Sequence, residues 1–201
     1  MKIIGLCGGS AAGKGTVADM LRRHGVPVLD TDALYHKMIE TPSPCAREII
    51  DAFGKEIQNG QGGVDRQALS RLVFAPEHRD RLLRLNEISH RHILKECDKW
   101  EEKSRQDGCD AICYDAPLLF ESGLDKRCDC TVAVLADDDM RIRRIVQRDG
   151  ISEQAARRRL QAQPPQQTLR DRATYCIENN GDTAALAAEV TRVIKQIRNH
   201  K

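Results

Sequence analysis

The chain has 201 residues, enough for one sizeable domain with insertions, and its charged residues nearly balance at a net charge of +2. Such a balance argues against a broad nucleic-acid-binding surface, and no apolar run approaches the ~20 residues that a membrane span requires. We therefore expect partners that are neither nucleic acids nor membranes.

Residues 3–18 carry the strongest motif of the chain. The apolar run 3–7 has the composition of a buried strand, and a helical pattern begins at Lys14. Between them lies Gly8-x-x-x-x-Gly13-Lys14, the phosphate-binding P-loop pattern in the strand–loop–helix context that it requires. Its glycines let successive backbone N–H groups point at one bound anion, and the positive end of the helix dipole adds to the attraction. The expected nucleotide-binding residues are Gly9, Ser10, Ala11, Ala12, Gly13, Lys14, Gly15 and Thr16.

One departure from the commonest P-loop concerns the metal. Gly15 follows Lys14, and the hydroxyl comes one place later, at Thr16. Gly15 cannot contact Mg²⁺ as a Ser or Thr in its place would. We therefore expect Mg²⁺ to be held mainly by ATP oxygens and water, with Asp30 or Asp115 as the candidate protein ligands.

The chain also contains eight cysteines. A strand pattern starts at the first residues, so we expect no signal peptide and a cytoplasmic location, where thiols stay reduced. The pairs Cys109-x-x-x-Cys113 and Cys128-x-Cys130 lack zinc-ribbon spacing. We interpret the cysteines as small buried hydrophobic residues.

In chain order, the first predicted helix covers 14–24 and ends at Gly25, and a short strand follows at 26–29. Residues 33–106 are then mostly helical. The elements expected there are helices at 33–39 and 46–53, a flexible turn at 59–63, a helix capped by Asp65, and a long charged helix opened by Pro76.

Strand patterns return in the second half of the chain. The expected elements are strands at 111–115 and 130–135, an acidic helix start at 137–139, an arginine-rich stretch broken by Pro164-Pro165, a strand at 175–178 and a helix at 183–198. The predicted fold class is α/β, a P-loop core whose five-stranded parallel sheet is flanked by helices. The predicted domains are a nucleotide-binding core (1–32, 109–138 and 173–201), a helical acceptor-binding domain (33–108) and a helical lid (139–172).

Phosphoryl transfer needs a carboxylate that orients or deprotonates the acceptor, and two aspartates qualify. Asp30 and Asp32 follow the second strand at its carboxyl end, where open parallel sheets bind ligands. Strand alternation puts both on the same side, so spacing alone does not choose between them. We favour Asp32 as the base, while capping of a helix around Ala33 is the structural alternative for both.

The arginine-rich stretch supplies cations that can close over the phosphates. Arg157, Arg158 and Arg159 are consecutive, so on a helix they face different ways and cannot all reach one ligand. We therefore expect most of these arginines to be surface charges, and one or two near the site would suffice to stabilise the transition state.

The chain resembles the dephospho-CoA kinases over nearly its full length. The most specific stretch is Asp115-x-Pro117-Leu118-Leu119-Phe120-Glu121, with Asp30-x-Asp32 before it and Arg148-Asp149-Gly150 after it. Further matching stretches are Ile88-x-His90-x-x-Ile93, Arg144-x-x-x-Arg148, Arg159-x-x-x-Gln163 and Ile177-Glu178-Asn179-Asn180-Gly181.

This resemblance implies transfer of the ATP γ-phosphoryl group to the 3′-hydroxyl of dephospho-CoA, with ATP and Mg²⁺ as cofactors. It implies Asp32 as the base, Lys14 and Arg144 as catalytic cations, and Asn179 beside the nucleotide. It also implies that His90, Leu118 and Glu121 bind the substrate with Asp32. We expect a monomer or a small homo-oligomer.

The chain departs from the family pattern at four places. It has Gly-Lys-Gly-Thr for the usual Gly-Lys-Ser-Thr, and Ala11-Ala12 where Gly and Ser are common. It also has His90-Arg91 for His-Pro, and Ala173-Thr174 for Ala-Asp. None of these changes removes a part that the mechanism needs, so they indicate a divergent member.

Two other functions stay open from the sequence. A nucleoside or nucleoside-monophosphate kinase is favoured by the Gly-Lys-Gly-Thr ending, which resembles adenylate kinases, but the arginine pair that would grip a monophosphate near Asp32 is missing. A non-catalytic nucleotide-binding regulator is a function of another class. The intact Lys14, Asp32 and arginine-rich stretch argue against it.

Overall fold

The structure, a computed structural model, describes residues 1–73 and 79–199. The prediction that Pro76 opens a helix lies outside these residues. The chain divides into two units, Met1–Leu29 with Asp107–Lys201, and Asp30–Gln106. None of the helices within the described ranges has the length and apolar character needed to cross a membrane.

The first unit is built on a parallel sheet with the strand order β2-β3-β1-β4-β5 across its described residues. The strands are β1 (Lys2–Gly8), β2 (Val28–Asp30), β3 (Ala111–Asp115), β4 (Cys130–Leu135) and β5 (Tyr175–Glu178). Each residue of β3 and β4 is buried, as their continuous apolar runs predict for strands covered on both faces. The α/β fold with a five-stranded parallel sheet is therefore confirmed.

Helices of the first unit cover the sheet and form the predicted lid segment. They are α1 (Lys14–Arg23), α6 (Asp138–Asp149), α7 (Glu153–Gln161), α8 (Gln166–Arg172) and α9 (Thr183–Asn199). Gly25 adopts a positive φ of 78° just after α1, where a helix commonly ends on glycine. The apolar face of α9 packs with α1 on the same cluster as β1 and β4, which makes this the main core of the unit.

The predicted lid, residues 139–172, is tied to the rest of the first unit through its last helix, α8. Pro164 and Pro165 separate α7 from α8, as predicted. The Gln166 side chain donates to the Ala136 carbonyl at 2.8 Å and accepts from its amide at 3.1 Å. The Arg172 guanidinium lies 4.2 Å from the centre of the Phe120 ring. These contacts fix α8 more firmly than its low apolar content predicts.

The second unit is helical. Its elements are α2 (Thr31–Glu40), α3 (Pro44–Phe53), a 3-10 turn (Lys55–Ile57), α4 (Arg66–Val73) and α5 (Arg79–Gln106). Its core is a separate cluster centred on Ile39, Ile49 and Ile88, each at most 1% exposed. Within the described part of this unit the only β pairing is the isolated bridge Gln58–Val64.

The turn at 59–63 is closed by its own asparagine. Asn59 Oδ1 accepts from the amides of Gln61 and Gly63, both at 2.9 Å, and its Nδ2 donates to the Glu40 carbonyl at 3.0 Å. The turn predicted as flexible is therefore held by side-chain hydrogen bonds. Two residues later, Asp65 Oδ1 accepts from the Ala68 amide at 3.1 Å and caps α4, as predicted.

Asp30 is the last residue of β2, and α2 follows it without a connecting loop. Its Oδ1 accepts from the Ala33 amide at 2.9 Å, so Asp30 is the N-cap and the helix begins at Thr31. The prediction that strand alternation puts Asp30 and Asp32 on the same side is therefore wrong. Asp32 instead lies in the first helical turn and is exposed.

Candidate active site

The P-loop of the first unit ends in an open helix terminus. Gly13 is the N-cap of α1, and within the described residues no side chain caps this helix. The first intrahelical bond runs from the Val17 amide to the Gly13 carbonyl at 3.1 Å. The amides of Lys14, Gly15 and Thr16 precede that bond, and together with the helix dipole they form a site for an anion.

Two glycines of the loop are required by close approaches. Gly13 has a φ of 100°, and a Cβ built there would lie 2.1 Å from Asn179 Nδ2. A Cβ on Gly9 would lie 2.7 Å from Arg141 Nη2. Ala11 has a φ of 59°, a left-handed conformation that costs a non-glycine residue about 1 kcal/mol. A glycine at this position would avoid that strain.

Lys14 forms an ion pair with Asp115. The pairing of Leu6 with Asp115 between β1 and β3 sets the end of β3 beside the strand that leads into the loop. Asp115 is only 4% exposed, so the pair lies largely out of water. The sequence identified Asp115 only as a candidate metal ligand, because the neighbour of β1 in the sheet cannot be read from the sequence.

A buried arginine holds the middle of the loop. Arg141 Nε donates to the Ser10 carbonyl at 2.9 Å, and its Nη2 donates to Gln163 Oε1 at 3.0 Å. The same Gln163 oxygen accepts from the Ser10 amide at 3.1 Å. Arg141 is only 4% exposed, yet no pattern in the sequence separates it from the nearby arginines, and Gln163 stands out there only within Arg159-x-x-x-Gln163.

Arg144 and Asn179 contact the backbone of the loop. Arg144 Nη2 donates to the Asn179 carbonyl at 3.0 Å, and its Nη1 donates to the Ala11 carbonyl at 3.3 Å. Asn179 is buried, and its Nδ2 donates to the Ala12 carbonyl at 2.8 Å. Arg144 thus lies against the P-loop, while the buried Asn179 side chain holds the loop backbone at Ala12.

The loop after β3 presents two of the expected substrate residues to solvent. Leu118 is 62% exposed and Glu121 is exposed, whereas Leu119 and Phe120 between them are buried. The buried pair anchors the loop. The side chains of Leu118 and Glu121 are therefore open to solvent.

In the second unit, the candidate residues lie on α2 and α5. Asp32 is exposed at the start of α2, and the carboxylate of Asp30 is engaged as the N-cap. His90 lies on α5 and is half-buried, and desolvation by burial lowers its pKa. A lowered pKa keeps His90 neutral at neutral pH, so it can offer a hydrogen bond but no charge.

The donor set fits a magnesium ion that keeps most of its water. Among the described residues no group of three or more His, Cys, Asp or Glu side chains could enclose a metal. Asp115 is paired with Lys14, and Thr16 is exposed one position beyond Gly15. Mg²⁺ is commonly bound through one or two carboxylates, water and substrate phosphates, which matches this sparse set.

All eight cysteines lie within the described residues, and none of them forms a disulfide bond. Five are buried, and Cys109, Cys128 and Cys176 are half-buried, so the interpretation as buried hydrophobic residues holds for the majority. Burial raises the pKa of Cys7 to about 12 and the pKa of Cys130 to about 11. These two thiols therefore stay protonated and unreactive.

Comparison with known proteins decides the family. The family model described as dephospho-CoA kinase matches residues 2–185. The chain belongs to the dephospho-CoA kinase family. A dephospho-CoA kinase of Corynebacterium efficiens is 36% identical over 194 residues, which cover 96% of each chain. One from Arabidopsis thaliana is 35% identical over 199 residues, covering 98% of this chain and 84% of that one.

Solved structures agree with this dephospho-CoA kinase fold. A Thermus thermophilus protein superposes with a TM-score of 0.81 at 34% identity, over 97% of this chain and 96% of that one. A Campylobacter jejuni dephospho-CoA kinase gives a TM-score of 0.71 at 23% identity, over 98% of this chain and 96% of that one. The chain is a kinase, a phosphotransferase that uses ATP.

Proposed function

We propose that this chain transfers the γ-phosphoryl group of ATP to the ribose 3′-hydroxyl of dephospho-CoA, giving CoA and ADP. The observation that carries the proposal is the uncapped start of α1, onto which Lys14 and Arg144 bring positive charge, in a chain of this family. Phosphoryl transfer depends on such positioning and charge stabilisation, because little covalent chemistry is left to the protein.

The P-loop binds the donor. The backbone amides of Lys14, Gly15 and Thr16 bind phosphate oxygens. The Lys14 ammonium stabilises the negative charge that develops on the outer phosphates during transfer. Arg144 is held at the loop by bonds to the Ala11 and Asn179 carbonyls, and its remaining donors bind the equatorial oxygens of the γ-phosphate. Asn179 acts through the loop, by fixing the Ala12 carbonyl.

The second unit binds the acceptor. Asp32 takes the proton of the 3′-hydroxyl as its oxygen attacks the γ-phosphorus, and the bond to the β–γ bridging oxygen breaks to release ADP. Asp30 does not compete for this role, because its carboxylate caps α2. His90, Leu118 and Glu121 contact the acceptor, and residues 139–172 close over the phosphates.

When bound, Mg²⁺ neutralises phosphate charge, and Asp115 is the residue of this chain that would hold it together with water and ATP oxygens. Asp115 is favoured over Asp30 because it lies beside Lys14 of the P-loop at the end of β3, whereas the Asp30 carboxylate caps α2. We further propose a monomer or small homo-oligomer in the cytoplasm, a reducing compartment that suits cysteines not joined in disulfides.

An acceptor panel tests the proposal. Purified protein with Mg²⁺ and ATP is offered dephospho-CoA, AMP or no acceptor, and ADP release is followed. We expect release that depends on dephospho-CoA. Release with AMP alone would indicate a nucleoside-monophosphate kinase, and binding of ATP without release for any acceptor would indicate a regulator.

A further inference from the structure

Arg66 and His36 form an unusual pair in the helical unit. Arg66 is the first residue of α4, and its Nη2 donates to His36 Nε2 on α2 at 3.1 Å. A guanidinium has only donors, so Nε2 must accept. The His36 ring in this pair is therefore neutral and carries its proton on Nδ1.

The pair leaves a positive charge without an anion. Across the described residues, no carboxylate lies within ion-pair distance of Arg66, which is exposed. Some other arginines of the same unit do have carboxylate partners, such as Arg91 with Glu48 and Arg84 with Glu87. Arg66 instead bonds to a neutral imidazole, and four of its five N–H donors remain for another ligand.

His36 shows a second sign of a missing partner. Its Nδ1 is buried, and among the described residues it has no hydrogen-bond partner. Because Nε2 accepts from Arg66, this Nδ1 carries the proton and is an unsatisfied donor. Buried donors are rarely left unsatisfied, so a water or a ligand oxygen is the expected partner.

The pair lies close to the proposed base along α2. Asp32 and His36 are separated by four residues on this helix, so they share a face with Cβ atoms about 5–6 Å apart. Arg66 is held in place by the Asp65 cap at the start of α4. A nucleoside 5′-diphosphate carries its 3′-hydroxyl and its phosphates on one ribose, so a single ligand presents both groups.

We propose that Arg66, held by His36, binds the 5′-diphosphate of the acceptor and thereby sets the ribose 3′-hydroxyl at Asp32. This proposal rests on the function proposed above. Arg66 is then a substrate-binding residue, and His36 is a positioning residue that fixes the guanidinium plane. Arginine suits the task because its planar fork can hold two phosphate oxygens at once.

The test removes the charge of Arg66 and compares two acceptor ligands. Dephospho-CoA carries the diphosphate, whereas adenosine keeps the 3′-hydroxyl and lacks phosphate. Arg66→Gln should weaken dephospho-CoA binding, measured by calorimetry without ATP, by about 10- to 100-fold, the worth of charged hydrogen bonds. The inhibition constant of adenosine and the KM for ATP should stay nearly unchanged.

Arg71→Gln is the matched control. Arg71 is an exposed arginine of the same helix, and its Nε donates to the Gln67 carbonyl at 3.3 Å. It should leave both affinities unchanged. His36→Leu should raise the KM for dephospho-CoA more than it lowers kcat, and His36→Gln, which keeps an acceptor for Arg66, should recover part of that loss.

Several results would overturn this assignment. They are an equal loss for dephospho-CoA and adenosine in Arg66→Gln, an equal loss in Arg71→Gln, or a lower melting temperature with unchanged dephospho-CoA affinity. Failure of the proposed function would look different, because the wild-type protein would then give no product from dephospho-CoA. The calorimetric comparison needs no turnover and would still decide the role of Arg66.

Discussion

Lys14 serves both the fold and the ligand site, because its partner Asp115 is a buried carboxylate. Lys14→Met should abolish turnover, and it should also lower the free energy of unfolding by about 3 kcal/mol, since the carboxylate loses its cation. Adding Asp115→Asn should recover most of the stability and none of the turnover. Urea denaturation and ADP release measure the two effects, and unchanged stability in Lys14→Met would show that the ion pair is not stabilising.

Asp30 and Asp32 should respond differently to substitution. Asp32→Asn should cut kcat about 10²-fold or more with little change in ATP affinity, as expected for a positioned proton acceptor. Asp30→Ala removes the N-cap of α2 and should cost about 1 kcal/mol of stability, with a much smaller effect on kcat. Steady-state kinetics and thermal unfolding separate them. A severe kcat loss in the Asp30 variant with a mild one in Asp32→Asn would reverse the assignment.

Gly15 occupies a position that does not require glycine. A Cβ built there meets no atom within 4 Å, and the residue lies in the first turn of α1. Gly15→Ala should therefore raise the free energy of unfolding by about 0.5–1 kcal/mol. Gly15→Ser also adds a hydroxyl beside the phosphates, so the Mg²⁺ concentration for half-maximal turnover should fall in the Ser variant alone. An identical Mg²⁺ dependence in both variants would contradict our interpretation of the metal site.

At the scale of elements, short sequence patterns predict the P-loop, the strands and the capped helices. The apolar runs of β3 and β4, the Asp65 cap and the Pro164-Pro165 break each depend on neighbouring residues, and each appears in the structure. The Lys14–Asp115 pair depends on β3 lying beside β1, a long-range pairing that no local pattern encodes. The role of Arg141 is hidden for the same reason, because its bond to the Ser10 carbonyl joins residues far apart in the chain.

The lid segment should move in part rather than as a whole. Helix α6 is held by Arg141 and α8 by Gln166 and Arg172, so α7 (Glu153–Gln161) has the weakest ties to the sheet. Amide exchange in α7 should slow when ATP and dephospho-CoA are both bound, while α6 and α8 stay protected throughout. Hydrogen exchange measures this helix by helix. Equal protection of α7 with and without the substrates would exclude a closing movement.

At the scale of the whole molecule, the chain combines a nucleotide-binding sheet with a separate helical unit. The division at Leu29/Asp30 and Gln106/Asp107 follows the change from strand to helical patterns in the sequence. Family membership was readable because Asp115-x-Pro117-Leu118-Leu119-Phe120-Glu121 is a long and specific stretch. The Arg66–His36 pair could not be predicted from the sequence. It joins α4 to α2, and the two helices are brought together by intervening chain that includes the turn closed by Asn59.

The position of the transferred phosphate tests the central claim most directly. The protein is incubated with Mg²⁺, ATP and dephospho-CoA, and the product is examined by phosphorus NMR with coupling to the ribose protons. The account predicts one new phosphomonoester coupled to H3′, formed in equal amount with ADP. A phosphate on another oxygen, or ADP formed without a phosphorylated acceptor, would contradict it.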